Sequence, residues 1–121
     1  MLTVDANVFI SAASATEAQH QISQTFFGRA SMLSVALYCP TLLLPEVAAG
    51  IARPTGRSGF ATRTVSGILR LPDLILVELD GNRAEQVTDA AITCRLRGAD
   101  AVYVAVAQEY GTTLITWDAE C

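Results

Sequence analysis

Residues 2–10 read LTVDANVFI, a short apolar strand that meets an aspartate and turns at once into a second apolar run. The residues after Asp5 suit a helix, with Asp5 or Asn7 supplying the oxygen that caps its first turn. Strand passing straight into helix is the unit on which the rest of the chain can be tried.

Outward from there the same alternation continues. A second helix is expected from Thr16 or Glu17, with Ile22, Phe26, Phe27 and Ala30 on one face and Thr16 as its cap. ALYCP (36–40) reads as a strand stopped by Pro40. TLLLPEVAAGIARP (41–54) is helical by its Leu43, Val47, Ile51 spacing, with Pro45 in the first turn. PTGRSG (54–59) has loop composition, and FATRTVSGILRLP (60–72) follows as a helix with Val65, Ile68 and Leu69 together and Pro72 closing it. LILVEL (74–79) is the continuous apolar strand of a sheet covered on both faces. One helix then runs to a glycine stop at Gly98, ADAVYVAVAQEYG (99–111) forms another, and TTLIT (112–116) is a last strand. Strands alternating with helices argue an α/β domain around a mostly parallel sheet. At 121 residues the chain fits a single domain, 1–121.

No apolar run approaches the roughly 18 to 20 residues that span a bilayer, and Asp5 interrupts the N-terminal one, so no membrane span and no secretory signal are expected. A cytoplasmic address follows by default. Cys39, Cys94 and Cys121 are too scattered for a disulfide framework or a C-x-x-C metal site, and Cys39 and Cys94 read as small buried hydrophobes. The net charge of −4 hides an uneven distribution. Residues 47–72 hold Arg53, Arg57, Arg63 and Arg70 and no acid, a segment of +4, while the remainder sets four arginines against twelve acids. Lysine is absent altogether.

In open α/β sheets ligands collect at the carboxyl ends of the strands. Asp5 ends the first strand, Asp118 follows the last one, and Asp100 opens a helix expected to start near that rim. Glu46 sits in an otherwise apolar helix. Singly, each has an ordinary reading as a cap, a turn residue or a first-turn acid. Three acids on one rim repel one another unless a cation lies among them, and a divalent cation such as Mg²⁺ or Mn²⁺ suits carboxylate ligands.

Asp5 in TVDANVFI, Glu46 in LLLPEVAAG, Asp100 in RGADAVYVAVA and Asp118 in LITWDAE together resemble the PIN domain, in particular the VapC-like ribonuclease toxins. The resemblance runs from residue 3 to the end. It implies a three-layer α/β/α sandwich with a mostly parallel central sheet of four or five strands, and four acids converging on Mg²⁺ or Mn²⁺. It also implies that Asn7 and Thr116 support the metal site by hydrogen bonding. Family members commonly continue into another strand and helix, so the C-terminal end reads as truncated, and Asp118 as the least firmly held acid. Carboxylate-held ions suit in-line phosphodiester hydrolysis with no catalytic His or Lys, leaving a 5′-phosphate and a 3′-hydroxyl. The preference for RNA rests on the resemblance alone.

The resemblance further implies a symmetric homodimer and a small antitoxin that lays a helix in an apolar groove, with Phe26, Phe27, Met32 and Leu33 as candidate surface for either. Arg53, Arg57 and Arg63 are candidate contacts to the RNA backbone, since arginine pairs with phosphate bidentately. His20, Trp117 and Tyr103 read as structural, and Glu17, Glu109 and Glu120 as surface charges. Receiver domains and haloacid-dehalogenase-like phosphatases also carry rim aspartates, but both need a lysine that this chain lacks. The reading is therefore a metal-dependent endoribonuclease, the toxin of a type II toxin–antitoxin pair. The alternative is a catalytically weak or inactive PIN-like scaffold or RNA-binding protein.

Overall fold

The computed structural model describes residues 1–118; Glu120 and the truncated C-terminal end expected at Cys121 lie outside the described residues. The chain runs β1 (Leu2–Val4), α1 (Ala6–Ala13), α2 (His20–Met32), β2 (Leu37–Pro40), α3 (Leu43–Thr55), α4 (Ser58–Leu69), β3 (Leu74–Val77), α5 (Gly81–Cys94), α6 (Gly98–Tyr110) and β4 (Thr113–Ile115). The four strands form one parallel sheet in the order β3-β2-β1-β4. The α/β architecture expected from the alternation is the one found, with four strands among the described residues.

Strand order places the site. The chain builds outward from β1 through β2 to β3 and then returns to the other side of β1 with β4. The reversal leaves a crevice between the carboxyl ends of β1 and β4, the place where open parallel sheets bind ligands. Register there is continuous, Leu2 opposite Thr113, Thr3 opposite Leu114 and Val4 opposite Ile115, and the Asp5 amide donates to the Ile115 carbonyl at 3.0 Å.

The core explains why the strands hold this position. Val4, Leu37 and Cys39 pack with Val8 and Phe9 of α1 and with Leu43, Val47 and Ile51 of α3, the helical stripe expected from the sequence. Each fully buried Val, Leu or Ile contributes roughly 1.5 to 3 kcal/mol, so this cluster dominates the stability of the sheet centre. Residues 101–107 of α6 are all buried, because α6 crosses β1, β2 and β4 while α5 packs behind it. Gly50 lets α3 approach α1 closely, since a Cβ there would run into the end of the Ile10 side chain.

Several local expectations are corrected. Neither Asp5 nor Asn7 caps α1: Asp5 holds the N-cap position in extended geometry but its side chain makes no capping bond, and Asn7 lies inside the helix. The second helix starts at His20, and Thr16 instead pairs with the Ser14 hydroxyl at 3.1 Å. The loop expected over 54–59 shrinks to two residues, with Gly56 in the left-handed region (φ 68°) ending α3. α5 stops at Arg95, itself left-handed at φ 55°, and Gly98 opens α6. β3 is the edge strand of the described sheet, and Ile75 on it is 41% exposed although Val77, two residues on, is buried. Cys39 is buried as expected, and burial pushes its thiol up to about 11, whereas Cys94 is only half-buried. Phe27 turns inward against Phe9 and Phe26 packs edge-on against Phe27, leaving Met32 (86% exposed) and Leu33 (75%) as the apolar surface at the end of α2.

Candidate functional site

β1 delivers Asp5 to the crevice, the turn after β4 delivers Asp118, and the first turn of α6 delivers Asp100. Each of the three carboxylates offers an oxygen within 4.8 Å of the others. Trans oxygens around an octahedral Mg²⁺ stand about 4.2 Å apart, so a small contraction or a bridging water suffices for one ion to engage all three. The pocket between them is lined also by Tyr103, Leu114 and Thr116 and encloses only about 10 Å³. That is about the room an ion or a water needs.

One of the three charges is confined as well as close to the others. Asp5 is 9% exposed, and burial raises its pKa above the ordinary carboxylate range, with the charges of Asp100 and Asp118 adding to the rise and the Thr116 hydroxyl and Ala6 amide partly offsetting it. A carboxylate whose charge is opposed both by burial and by two neighbouring carboxylates is one that a cation would relieve.

Asn7 and Thr116 tie these acids to the sheet. The Thr116 hydroxyl donates to Asp5 Oδ2 at 2.8 Å, and the Asn7 amide donates to Asp118 Oδ2 at 3.1 Å and to Thr116 Oγ1 at 3.2 Å. The Trp117 backbone amide returns a bond to Asn7 Oδ1 at 3.3 Å. Polar side chains that orient ligands in this way are typically worth about 10- to 100-fold in metal affinity. Asn7→Ala is therefore expected to weaken Mn²⁺ binding by about that factor, as read by titration calorimetry, with little change in fold because Asn7 is only half-buried.

Glu46 stands apart from the trio. The Tyr103 hydroxyl donates to its Oε1 at 2.7 Å. Burial raises the Glu46 pKa, the Tyr103 bond lowers it, and the charges of Asp5 and Asp100 raise it further. Desolvation and the Glu46 charge hold the Tyr103 hydroxyl firmly protonated, so it remains a donor. Glu46 is thus the fourth acid of the neighbourhood, held one tyrosine away from the three that meet.

Residues 2–120 match the family model described as PIN domain. The chain belongs to that family. Among solved structures, VapC20 of Mycobacterium tuberculosis, a Sarcin-Ricin loop cleaving toxin, superposes with a TM-score of 0.80 at 16% identity, covering 98% of this chain and 91% of its own. VapBC2 from Rickettsia felis, solved with a DNA fragment from its promoter, gives 0.72 at 10% identity over 97% and 87%. FitAcB from Neisseria gonorrhoeae gives 0.69 at 17% over 98% and 88%. No curated protein matches by sequence.

Three features of this PIN domain were not foreseen. Arg97 donates through Nε to Asp100 Oδ2 at 3.1 Å, so one cation does sit at the edge of the acids. Its spacing of three residues from Asp100 was the available signal. Tyr103, read as core or interface, contributes its hydroxyl to Glu46. Trp117 donates from its indole nitrogen to the fully buried Ser23 hydroxyl at 3.0 Å, tethering the Asp118 turn to α2, and a pair 94 residues apart leaves no local pattern to read.

The arginine strip divides. Arg53 shares with Glu46, Ala49, Gly50 and Pro54 an open groove of about 610 Å³. Arg57 and Arg63 stand exposed at the start and in the middle of α4, Arg57 over the Phe60 ring at 4.8 Å, and neither lines that groove or the acidic pocket. Among the described residues none of Arg53, Arg57, Arg63 and Arg70 forms an ion pair. No helix among them is long and apolar enough to cross a membrane.

Proposed function

We propose that this PIN domain is an endoribonuclease dependent on Mg²⁺ or Mn²⁺, acting as the toxin of a toxin–antitoxin pair. The observation that carries the reading is the convergence of Asp5, Asp100 and Asp118 within 4.8 Å at the topological switch point. Asp5, Asp100 and Asp118 would hold the ion, directly or through water, and Glu46 would complete the set on its far side. When bound, such an ion supplies a nucleophile at neutral pH and neutralises charge on the leaving oxygen.

The chain's own groups do the rest. Asn7 and Thr116 fix the orientation of Asp118 and Asp5. Tyr103 occupies Oε1 of Glu46, leaving Oε2 to accept a proton from the attacking water, and a carboxylate with a raised pKa is the better base at neutral pH. Arg53, in the groove that starts at Glu46, would steer the strand, with Arg57 and Arg63 adding to the field along α3 and α4. A small antitoxin is the expected partner. In support, the structural neighbours include toxin–antitoxin complexes, and an apolar groove of about 240 Å³ runs among α1, α2 and α4 beside the exposed Met32 and Leu33. A homodimer and a cytoplasmic address complete the proposal.

The test is cleavage of single-stranded and structured RNA by the purified protein in Mn²⁺ and in chelator. Cleavage confined to the Mn²⁺ reactions, with 5′-phosphate products, is the expected result. Cleavage that persists in chelator, or inactivity on every RNA, would defeat the proposal.

A further inference from the structure

We propose that Arg97 is a phosphate-binding residue of this site, taking the two non-bridging oxygens of an RNA phosphate with its two terminal amino groups while Nε stays on Asp100. The proposal rests on the ribonuclease reading and names a contact that the four acids cannot make.

A comparison of two arginines carries it. Arg83 has spent its donors on the protein: Nε and Nη2 clasp Glu109, Nη2 also reaches the Tyr110 hydroxyl, and Nη1 reaches the Glu78 carbonyl and Asp80. That is how an arginine is used to lock two helices. Arg97 makes one bond, from Nε to Asp100 Oδ2, and among the described residues Nη1 and Nη2 have no partner. Its side chain is 83% exposed. The guanidinium is thus oriented by an acid of the site yet keeps the outer edge of its fork, the edge that matches two phosphate oxygens, open to solvent.

Electrostatics favour the same role. Asp5, Glu46, Asp100 and Asp118 would together repel a polyanion. Among the described residues, Arg97 is the one cation in hydrogen-bond contact with any of them, and the charges of Asp118 and Glu46 act on it as well as that of Asp100. It occupies the N-cap of α6, the end of that helix whose dipole favours a nearby anion. Asp100 accepts no other hydrogen bond among the described residues, which leaves Oδ1 for a cation while Oδ2 positions the arginine.

Wild type, Arg97→Gln, Arg97→Lys and an Arg29→Gln control of equal charge change would be compared in three measurements. These are Mn²⁺-dependent cleavage of a labelled random-sequence single-stranded RNA, binding of that RNA in Ca²⁺ by anisotropy, and Mn²⁺ affinity by calorimetry. Arg97→Gln should lower kcat/KM and RNA affinity by about 10- to 100-fold and reduce the salt slope of binding by about one. Its Mn²⁺ affinity should be kept or increased, because a competing cation has been removed from Asp100. Arg97→Lys should recover part of the loss, and Arg29→Gln should stay within about twofold of wild type in kcat/KM. Unchanged RNA binding and cleavage in Arg97→Gln would overturn the proposal. So would a loss of Mn²⁺ affinity that parallels the loss of cleavage, since Arg97 would then merely order Asp100. A wild type that neither binds nor cleaves RNA would instead bring down the ribonuclease reading itself.

Discussion

Asp5→Asn is expected to reduce Mn²⁺-dependent RNA cleavage by at least about 10³-fold while raising the melting temperature of the metal-free protein. The two effects have one origin. Asp5 is the most enclosed of the three converging acids, and its charge is opposed by burial and by Asp100 and Asp118. Asparagine has nearly the same shape, and its carbonyl oxygen can still accept the Thr116 hydroxyl. The substitution therefore removes a destabilising charge with little loss of packing. The same charge is what would hold the ion, and losing several kcal/mol of transition-state stabilisation corresponds to about a thousandfold in rate. Single-turnover cleavage and thermal melting in chelator check the pair of outcomes. Unaltered cleavage would remove Asp5 from the chemistry, and a lower metal-free melting temperature would mean that its carboxylate stabilises the fold.

How much of this was legible follows from the range of the interactions involved. Asp5 stood out because a charged residue at the end of an apolar strand has no packing reason to be there, and the order of strands and helices placed Asp100 and Asp118 on the same rim. Those signals are local or topological. Helix ends were less legible. Arg95 rather than Gly98 adopts the left-handed turn, because the close packing of α5 on α6 sets where the chain must reverse, and that contact overrides the glycine preference. The exposure of Ile75 could not be read either, since LILV at a sheet edge and LILV at its centre have the same composition.

The site was legible in its acids and hidden in their partners. Tyr103 sits in the apolar run AVYVAVA and looks like core, and it is core, with its ring buried. Only the folded position of α3 reveals that its hydroxyl meets Glu46. The Ser23 to Trp117 tether joins two residues far apart in sequence, neither of which carries chemistry alone. The absence of lysine suggested that a metal would be the sole positive charge among the acids, and Arg97 corrects that: an arginine three residues before Asp100 reaches it across one helical turn.

Saturation with Mn²⁺ is expected to stabilise the protein by about 2.7 kcal/mol at a hundred times its Kd, a rise of roughly 10 °C in melting temperature for a domain of this size. The gap should open as pH rises. Asp5 and Glu46 both have folded-state pKa values raised above their ordinary ones. Their contribution to the stability of the metal-free protein is present below the ordinary carboxylate range and is lost as pH climbs through the raised folded values. An ion needs the same groups deprotonated, so it competes with their protons in that mildly acidic window and binds fully above it. Metal-free stability from these two groups thus falls with pH while the gain from metal grows. Glu109, whose pKa Arg83 holds below the usual range, works in the opposite direction, but it lies outside the acidic pocket and cancels in the difference. Melting curves with Mn²⁺ and with chelator across the acidic to neutral range measure the gap directly. A gap that stays constant with pH would show that the ion does not displace protons from Asp5 or Glu46. In Glu46→Gln the share of the pH dependence that comes from Glu46 is removed, so a narrower window there would assign that share to Glu46.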